Sequence, residues 1–222
     1  SKSNTSELPF NIKDSLSIEN SAYFHPVHYL NQLISACQDA GVQFYENTKA
    51  IAVEYSKRPI IVCHGNIRMT CQYVVQASHY PFFDGQQFFP LKMYASRSYA
   101  LLAKTEKTIK NMYMNVENPA RSIRPVPSDH DNYLIVAGEN HRTGVSDLAM
   151  DEHFNLLAAF TDEHFTIKNM PNLWSAQDYT TIDKLPYVGS VTREKDNVLV
   201  ATGYRKWGMT NGTHAAILLK DL

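Results

Sequence analysis

Residues 197–222 read NVLVATGYRKWGMTNGTHAAILLKDL, and the order of residue types along them decides the kind of fold to expect. Val198 to Ala201 is a short apolar run of strand length. Gly203 and Gly208 permit tight backbone, and Thr210 opens a helix carrying Ala215, Ala216, Ile217, Leu218 and Leu219. Strand, glycine turn and helix together make the layout of an anion site. The first helical turn points unpaired N–H groups outward and carries roughly half a positive charge, which suits a phosphate, a carboxylate or an electron-rich carbonyl. A plain glycine turn capped by Thr210 accounts for the same residues without any ligand, so the rest of the chain has to decide.

With 222 residues the chain can bury a sizeable core, as one large domain or two small ones. Its formal net charge is −1 and its Lys and Arg are scattered, so no basic stripe marks it as a nucleic-acid binder. Cys37, Cys63 and Cys71 form neither a CxxC pair nor an even disulfide framework, which places the protein in a reducing, cytoplasmic setting. No apolar run approaches the roughly 18 residues of a membrane span, and no membrane insertion is expected. The polar start SKSNTSELPFNIKD is no signal peptide. It lacks an initiator Met, which suggests a piece of a longer protein, and the sequons at Asn4 and Asn211 are then chance matches.

Outward from the closing segment, a strand is expected around Leu16 to Ile18. An amphipathic helix follows in HPVHYLNQLISACQDAG, with Tyr29, Leu30, Leu33, Ile34 and Cys37 at helical spacing and Gly41 as its stop. From Val42 to Ala77 the short runs VQFYE, AIAVEY, PIIVCH, IRMT and QYVVQA suggest strands, the middle ones in an antiparallel meander. HYPFFDGQQFFP is a hydrophobic loop and a candidate domain crossing. Beyond it KMYASRSYALLAKT, NMYMNVE, RSIRPV and YLIVAGE indicate an antiparallel sheet. MDEHFNLLAAFTDEHF puts Phe154, Leu157, Ala158 and Phe165 on one helical stripe, widened by Leu156 and Phe160, to cover that sheet. The chain crosses back near Trp174. The fold class is therefore α+β: an α/β nucleotide-binding domain over residues 25–82 and 174–222, which the resemblance given below implies is partial, and an antiparallel-sheet domain over 1–24 and 83–173.

Several chemistries lack their motifs. His25 and His28, or His153 and His164, can share a helix face, but no third or fourth ligand is spaced for zinc, and surface or capping histidines explain them. No metal site is assigned. GxSxG, Walker A and paired Rieske signatures do not occur. Arg97 and Tyr99 lie on one expected strand and Arg121 and Arg124 on or beside another, where a guanidinium can clamp a carboxylate and a phenol can assist. Gln177, Asp178 and Tyr179 stand where the chain returns to the first domain, a frequent place for ligands. Strand arginines and tyrosines that merely cover a sheet are the plainer explanation. Lys206, Trp207, Gly208, Met209 and Thr210 join a cation, a large aromatic and backbone donors, which suits a planar ring whose reduced form is anionic.

In order, HPVHYLNQLISACQDAGVQFYENTKAIAVEY, YVVQASHYPF, WSAQDYTTIDKLPYVG and VLVATGYRKWGMTNGTHAAILLKDL resemble the FAD-dependent oxidoreductases of the D-amino-acid oxidase, glycine oxidase and sarcosine oxidase superfamily. WSAQDY and KWGMTNGT are most similar to a bacterial subgroup carrying a Rieske [2Fe–2S] domain after the flavin part, which would put that cluster outside this chain. The resemblance implies that Gly203, Gly208, Met209 and Thr210 lie at the flavin, with Lys206 and Trp207 beside its reacting face. It puts Ala50 at a backbone contact with the adenine. The positive end of the closing helix would stabilise charge on the reduced flavin. Arg97, Tyr99, Arg124 and Gln177 are the substrate-side candidates.

Two departures stand out. The GxGxxG fingerprint of a dinucleotide-binding fold does not occur, so the pyrophosphate site is expected to lie upstream of this chain, which would then be inactive alone. WSAQDY stands where amine-oxidising relatives often show a Gly-x-Arg-Pro-like stretch, which leaves the substrate open. The expected reaction is hydride transfer from a C–N bond of a small amine or amino acid to FAD. Two alternatives remain: a flavin that relays electrons to an iron–sulfur partner, or a non-catalytic binding module. No oligomeric state is implied.

Overall fold

The computed structural model describes residues 7–192 and 194–222. Helix α1 (Pro26–Asp39) begins where expected. Pro26 supplies a preset φ at the first turn, and the His25 ring nitrogen accepts the His28 N–H at 3.4 Å. Its apolar stripe faces outward, and no residue of α1 is buried. Strands β1 (Ala50–Glu54), β2 (Ile60–Cys63) and β3 (Arg68–Thr70) form the expected antiparallel meander. Two expected strands do not form. Leu16 and Ile18 are 82% and 78% exposed, with no partner strand, and Val42 to Tyr45 runs past exposed as well. Apolar composition alone does not make a strand where no neighbour pairs its backbone.

Strand β4 (Val74–Gln76) leaves the meander and pairs in parallel with β11 (Lys195–Thr202), which pairs antiparallel with β10 (Tyr187–Thr192). The parallel partners Val74 and Val198 are far apart in the sequence, and the large antiparallel sheet and its helix are inserted between them. Between them, the Gln76 amide exchanges two hydrogen bonds with Phe83, 2.8 and 3.0 Å, and fixes the phenylalanine-rich loop. The Asp84 carboxylate then accepts the N–H groups of Phe88 and Phe89 and opens the short helix α2 (Phe89–Lys92). Phe89 is buried with Val53, Val74, Met93, Val191, Val198 and Val200 in one core.

The larger sheet is antiparallel in the order β6 (Tyr113–Met114), β7 (Ser122–Val126), β8 (Asn132–Arg142), β5 (Met93–Thr105), β9 (Ile167–Thr181). β9 starts before Trp174 and runs through it unbroken. It is an edge strand, which is why Pro171, lacking an N–H, is tolerated in it. Alternate residues Tyr99, Leu101 and Ala103 of β5 face helix α3 (Met150–Phe165), along with Leu134, Val136 and Ile123.

The expected stripe of α3 faces the sheet, with Leu157 and Phe165 in the core and Phe154, Ala158 and Phe160 packed against it, and two polar residues join it. His153, Leu157, Thr161 and Phe165, four residues apart, are its buried positions, while Leu156 is exposed. Two of the four are polar and so escape a count of apolar periodicity, yet each makes a side-chain hydrogen bond, while His153 Nδ1 has no partner among the described residues. Thr161 Oγ1 donates to the Leu157 carbonyl at 2.8 Å, and His153 Nε2 meets Ser146 Oγ at 2.8 Å. Leu157 and Phe165 are fully buried, which contributes about 1.5–3 kcal/mol each. Among the described residues no helix is long and apolar enough to cross a membrane.

Candidate active-site cleft

After β11 the chain turns at Gly203 with φ +75°, a conformation that costs an L-residue about 1–2 kcal/mol. Packing demands glycine there as well, since a Cβ would lie 2.5 Å from Thr181 Cγ2. The turn is then tied to the end of β9. Tyr204 bridges Thr180, and the Arg205 N–H donates to the Tyr179 carbonyl at 3.1 Å. Thr202 Oγ1 donates to the His79 carbonyl, and His79 Nε2 donates to the Gln177 carbonyl at 2.9 Å. These bonds hold residues 205–207 against one face of the large sheet.

Helix α4 (Gly208–Lys220) begins two residues earlier than the sequence suggests, because the Trp207 carbonyl already accepts the Asn211 N–H at 2.9 Å. No side chain caps it. Its first N–H groups, at Gly208, Met209 and Thr210, therefore keep their donors for something else. A Cβ placed on Gly208 meets nothing within 4 Å, so the approach to that backbone is open.

Between this turn and the sheet lies a cleft of about 290 Å³, lined by Tyr94, Ser96, Asn140, Asp178, Thr180 and Lys206, with Lys184, Arg205 and Trp207 at its rim. Sheet register assembles its floor: Ser96 is opposite Asp178 and Tyr94 opposite Thr180, all on one face by the two-residue period of a strand. Asn140 arrives by a bulge in β8 between the pairs Arg97–His141 and Tyr99–Gly138, where Glu139 takes φ +53°. The bulge sends two successive side chains apart, Glu139 to Arg121 at 2.7 Å and Asn140 to the Lys206 ammonium, which donates to its Oδ1. Burial pushes the Lys206 amino group down from its ordinary pKa, opposed by Asp178. Burial pushes the Asp178 carboxyl up, opposed by Lys206 and His79.

Of the residues singled out in the sequence, Asp178, Lys206 and Trp207 line the cleft, and Gly203, Gly208, Met209 and Thr210 form the turn and helix start beside it. The remaining candidates lie elsewhere. Arg97, Tyr99 and Gln177 are one residue out of step with Ser96 and Asp178 and so occupy the opposite face of the sheet. Tyr99 is 3% exposed, stacked on His153 at 4.7 Å, and Arg97 donates to Ser175 Oγ at 2.9 Å. Arg124 stands opposite Ile135, itself opposite Leu102, on the cleft's face but roughly 20 Å along β5 from Ser96. Ala50 opens β1 in the separate meander and does not line the cleft. Tyr94, Ser96, Asn140 and Thr180 were not singled out beforehand. Alternation along KMYASRS marks Tyr94 and Ser96 as sharing a face, but nothing local says which face meets the turn at 205–207.

The family model for "FAD dependent oxidoreductase" (DAO) matches residues 3–222. A Bacillus subtilis (strain 168) protein bearing the name Rieske 2Fe-2S iron–sulfur protein YhfW is 34% identical over 216 residues, covering 97% of this chain and 42% of that protein. Glycine oxidase from Geobacillus kaustophilus shares the fold at 18% identity and TM-score 0.66, over 86% of this chain and 52% of the oxidase. L-proline dehydrogenase from P. horikoshii does so at 11% identity and TM-score 0.66, over 88% of this chain and 56% of the dehydrogenase. The chain thus spans about half the length of the relatives it matches. On the strength of the family match over nearly every residue and of the close bacterial relative, the chain belongs to the DAO family of FAD-dependent oxidoreductases.

Proposed function

We propose that the full protein uses FAD to oxidise a C–N bond of a small amine or amino acid, and that this chain supplies its substrate cleft and the pyrimidine side of its flavin site. The observation that carries the reading is the juxtaposition of a cleft with an uncapped helix start. The free N–H groups of α4 and the open backbone at Gly208 fit an electron-rich ring edge. When bound, FAD supplies the hydride acceptor. The chain's own work is to hold and orient. Gly208, Met209 and Thr210 would present N–H donors to the flavin, Lys206 would set a positive charge at the cleft wall, and Trp207 would lie beside the ring. Hydride transfer from a neutral amine needs orientation more than an acid–base pair, which a small polar cleft can provide.

The division of labour we propose is a partial FAD-binding domain at 25–82 and 174–222, with Ala50 near the adenine, and a substrate domain at 1–24 and 83–173. The exposed apolar residues of α1 (Tyr29, Leu30, Leu33, Ile34) and of the extended stretch after it (Val42, Phe44, Tyr45) support a further layer of the flavin domain packing there. The use of cysteine supports a cytoplasmic protein. A second reading, electron relay to a [2Fe–2S] centre, is favoured by the name of the B. subtilis relative.

Visible absorption tests both readings. The full-length protein purified with FAD should show flavin bands, Gly208→Leu should fold but lose them, and an amine should bleach them without oxygen. Bands that a Gly208→Leu protein keeps would sink the assignment of α4. Bleaching by an iron–sulfur partner's reductant but by no amine would favour relay.

A further inference from the structure

Inside the cleft a negative and a positive side chain are held apart. Among the described residues no hydrogen bond or ion pair engages the Asp178 carboxylate, and the Lys206 ammonium is engaged only by Asn140 Oδ1. Each still influences the other's protonation, so they lie within electrostatic reach. A half-buried carboxylate without a donor is costly, because desolvation is not repaid by any bond. Asp178 stands near the C-terminal end of β9 opposite Ser96, while the Lys206 ammonium donates to Asn140, which the β8 bulge presents from the far side of β5.

The neighbours say what ligand satisfies both charges. Around Asp178 are the hydroxyl groups of Tyr94, Ser96 and Thr180, which are neutral, while the rim adds two more cations, Lys184 and Arg205. Three cations against one carboxylate repel a simple amine and attract an anion. An anion alone would leave Asp178 facing like charge. A zwitterion fits both ends, with its carboxylate toward Lys206 and its ammonium on Asp178, and about 290 Å³ limits it to a small molecule.

We propose that Asp178 is the ammonium-binding residue of the cleft, receiving the amino group of a small amino acid whose carboxylate lies toward Lys206. The assignment rests on the proposed function for its choice of an amino compound as substrate. Asp178 touches the substrate and sets the direction in which the Cα–H bond points, and its carboxylate takes one proton from the ammonium to leave the neutral amine from which hydride departs.

Binding, rather than turnover, tests it. Isothermal titration of the full-length protein with glycine, alanine, acetate and methylamine separates the two charges. Asp178→Asn, of the same shape, should weaken glycine and alanine at least tenfold while leaving acetate unchanged or tighter; Lys206→Met should weaken acetate and the amino acids together. Thermal unfolding confirms that both variants are folded. Equal loss of acetate and glycine in Asp178→Asn would reveal a structural role and overturn the proposal, as would a wild-type protein that binds neither amino acid. Flavin absorbance of the same samples reports separately on the redox reading. Flavin retained with glycine affinity indifferent to Asp178 sinks this assignment alone. Asp178-dependent binding without flavin sinks the redox reading and leaves the ammonium site standing.

Discussion

Gly203→Ala is the substitution whose cost can be worked most completely from the geometry. The residue sits at φ +75°, where a Cβ costs about 1–2 kcal/mol through its clash with the following carbonyl. That same Cβ would stand 2.5 Å from Thr181 Cγ2 and 3.6 Å from Met93 Sδ. Thr181 is fully buried and its Oγ1 is tied to the Leu185 carbonyl at 2.8 Å, so it cannot swing aside without breaking that bond. Overpacking of this kind costs about 1–3 kcal/mol. The two effects are independent and together predict a loss of about 2–5 kcal/mol, or a fall in Tm of about 4–20 °C for a chain of this size. Thermal unfolding by circular dichroism measures it.

The decisive comparison is a double-mutant cycle. Thr181→Ser keeps the hydroxyl and removes the methyl in the way, so Gly203→Ala in that background should recover the packing part, about 1–3 kcal/mol, and keep the conformational part. A Gly203→Ala protein that melts with the wild type would refute the whole argument. Equal losses in both backgrounds would refute the contact with Thr181 while leaving the φ argument intact.

Two further predictions concern the layer between the large sheet and α3. His153 is buried against Tyr99 and His141, and burial first, then the neighbouring His141, hold its pKa below the ordinary value, with Glu139 and Glu152 opposing. The folded state therefore binds fewer protons than the unfolded chain as pH drops through about 6.5, and stability present above that pH is lost below it. Tm measured from pH 7.5 down to 5 should fall less steeply in His153→Phe than in the wild type; parallel curves would remove His153 as a cause. Arg121 pairs with Glu139 at 2.7 Å and lies 4.2 Å over the Phe160 ring, so Arg121→Met strands a nearly buried carboxylate and should cost about 3 kcal/mol in urea unfolding. Adding Glu139→Gln should restore most of it, and failure to do so would show that packing on Phe160, not the charge pair, carries the cost.

Much of the architecture is local in origin and was therefore readable in the residues themselves. The α1 spacing, the β1–β3 meander, the strand at KMYASRSYALLAKT and the strand–glycine–helix close each depend on neighbours a few positions away. That Lys206 and Trp207 stand together before an open helix start at the candidate cleft was legible too, because a glycine turn and its flanking residues travel together along the chain. Tertiary structure alone decided which face of each strand meets the turn at 205–207. A shift of one residue separates Arg97, Tyr99 and Gln177 from Ser96 and Asp178, and only pairing with distant strands and the packing of α3 select between the two faces. The same holds for Asn140, which reaches Lys206 through a bulge that no local signal announces, and for His153 and Thr161, whose hydrogen-bond partners Ser146 and Leu157 are close in sequence but whose burial follows from the packing of α3 on the large sheet. Leu16 to Ile18 and Val42 to Tyr45 make the converse point: strand-like composition stays without strand structure until another backbone lies alongside to take its hydrogen bonds.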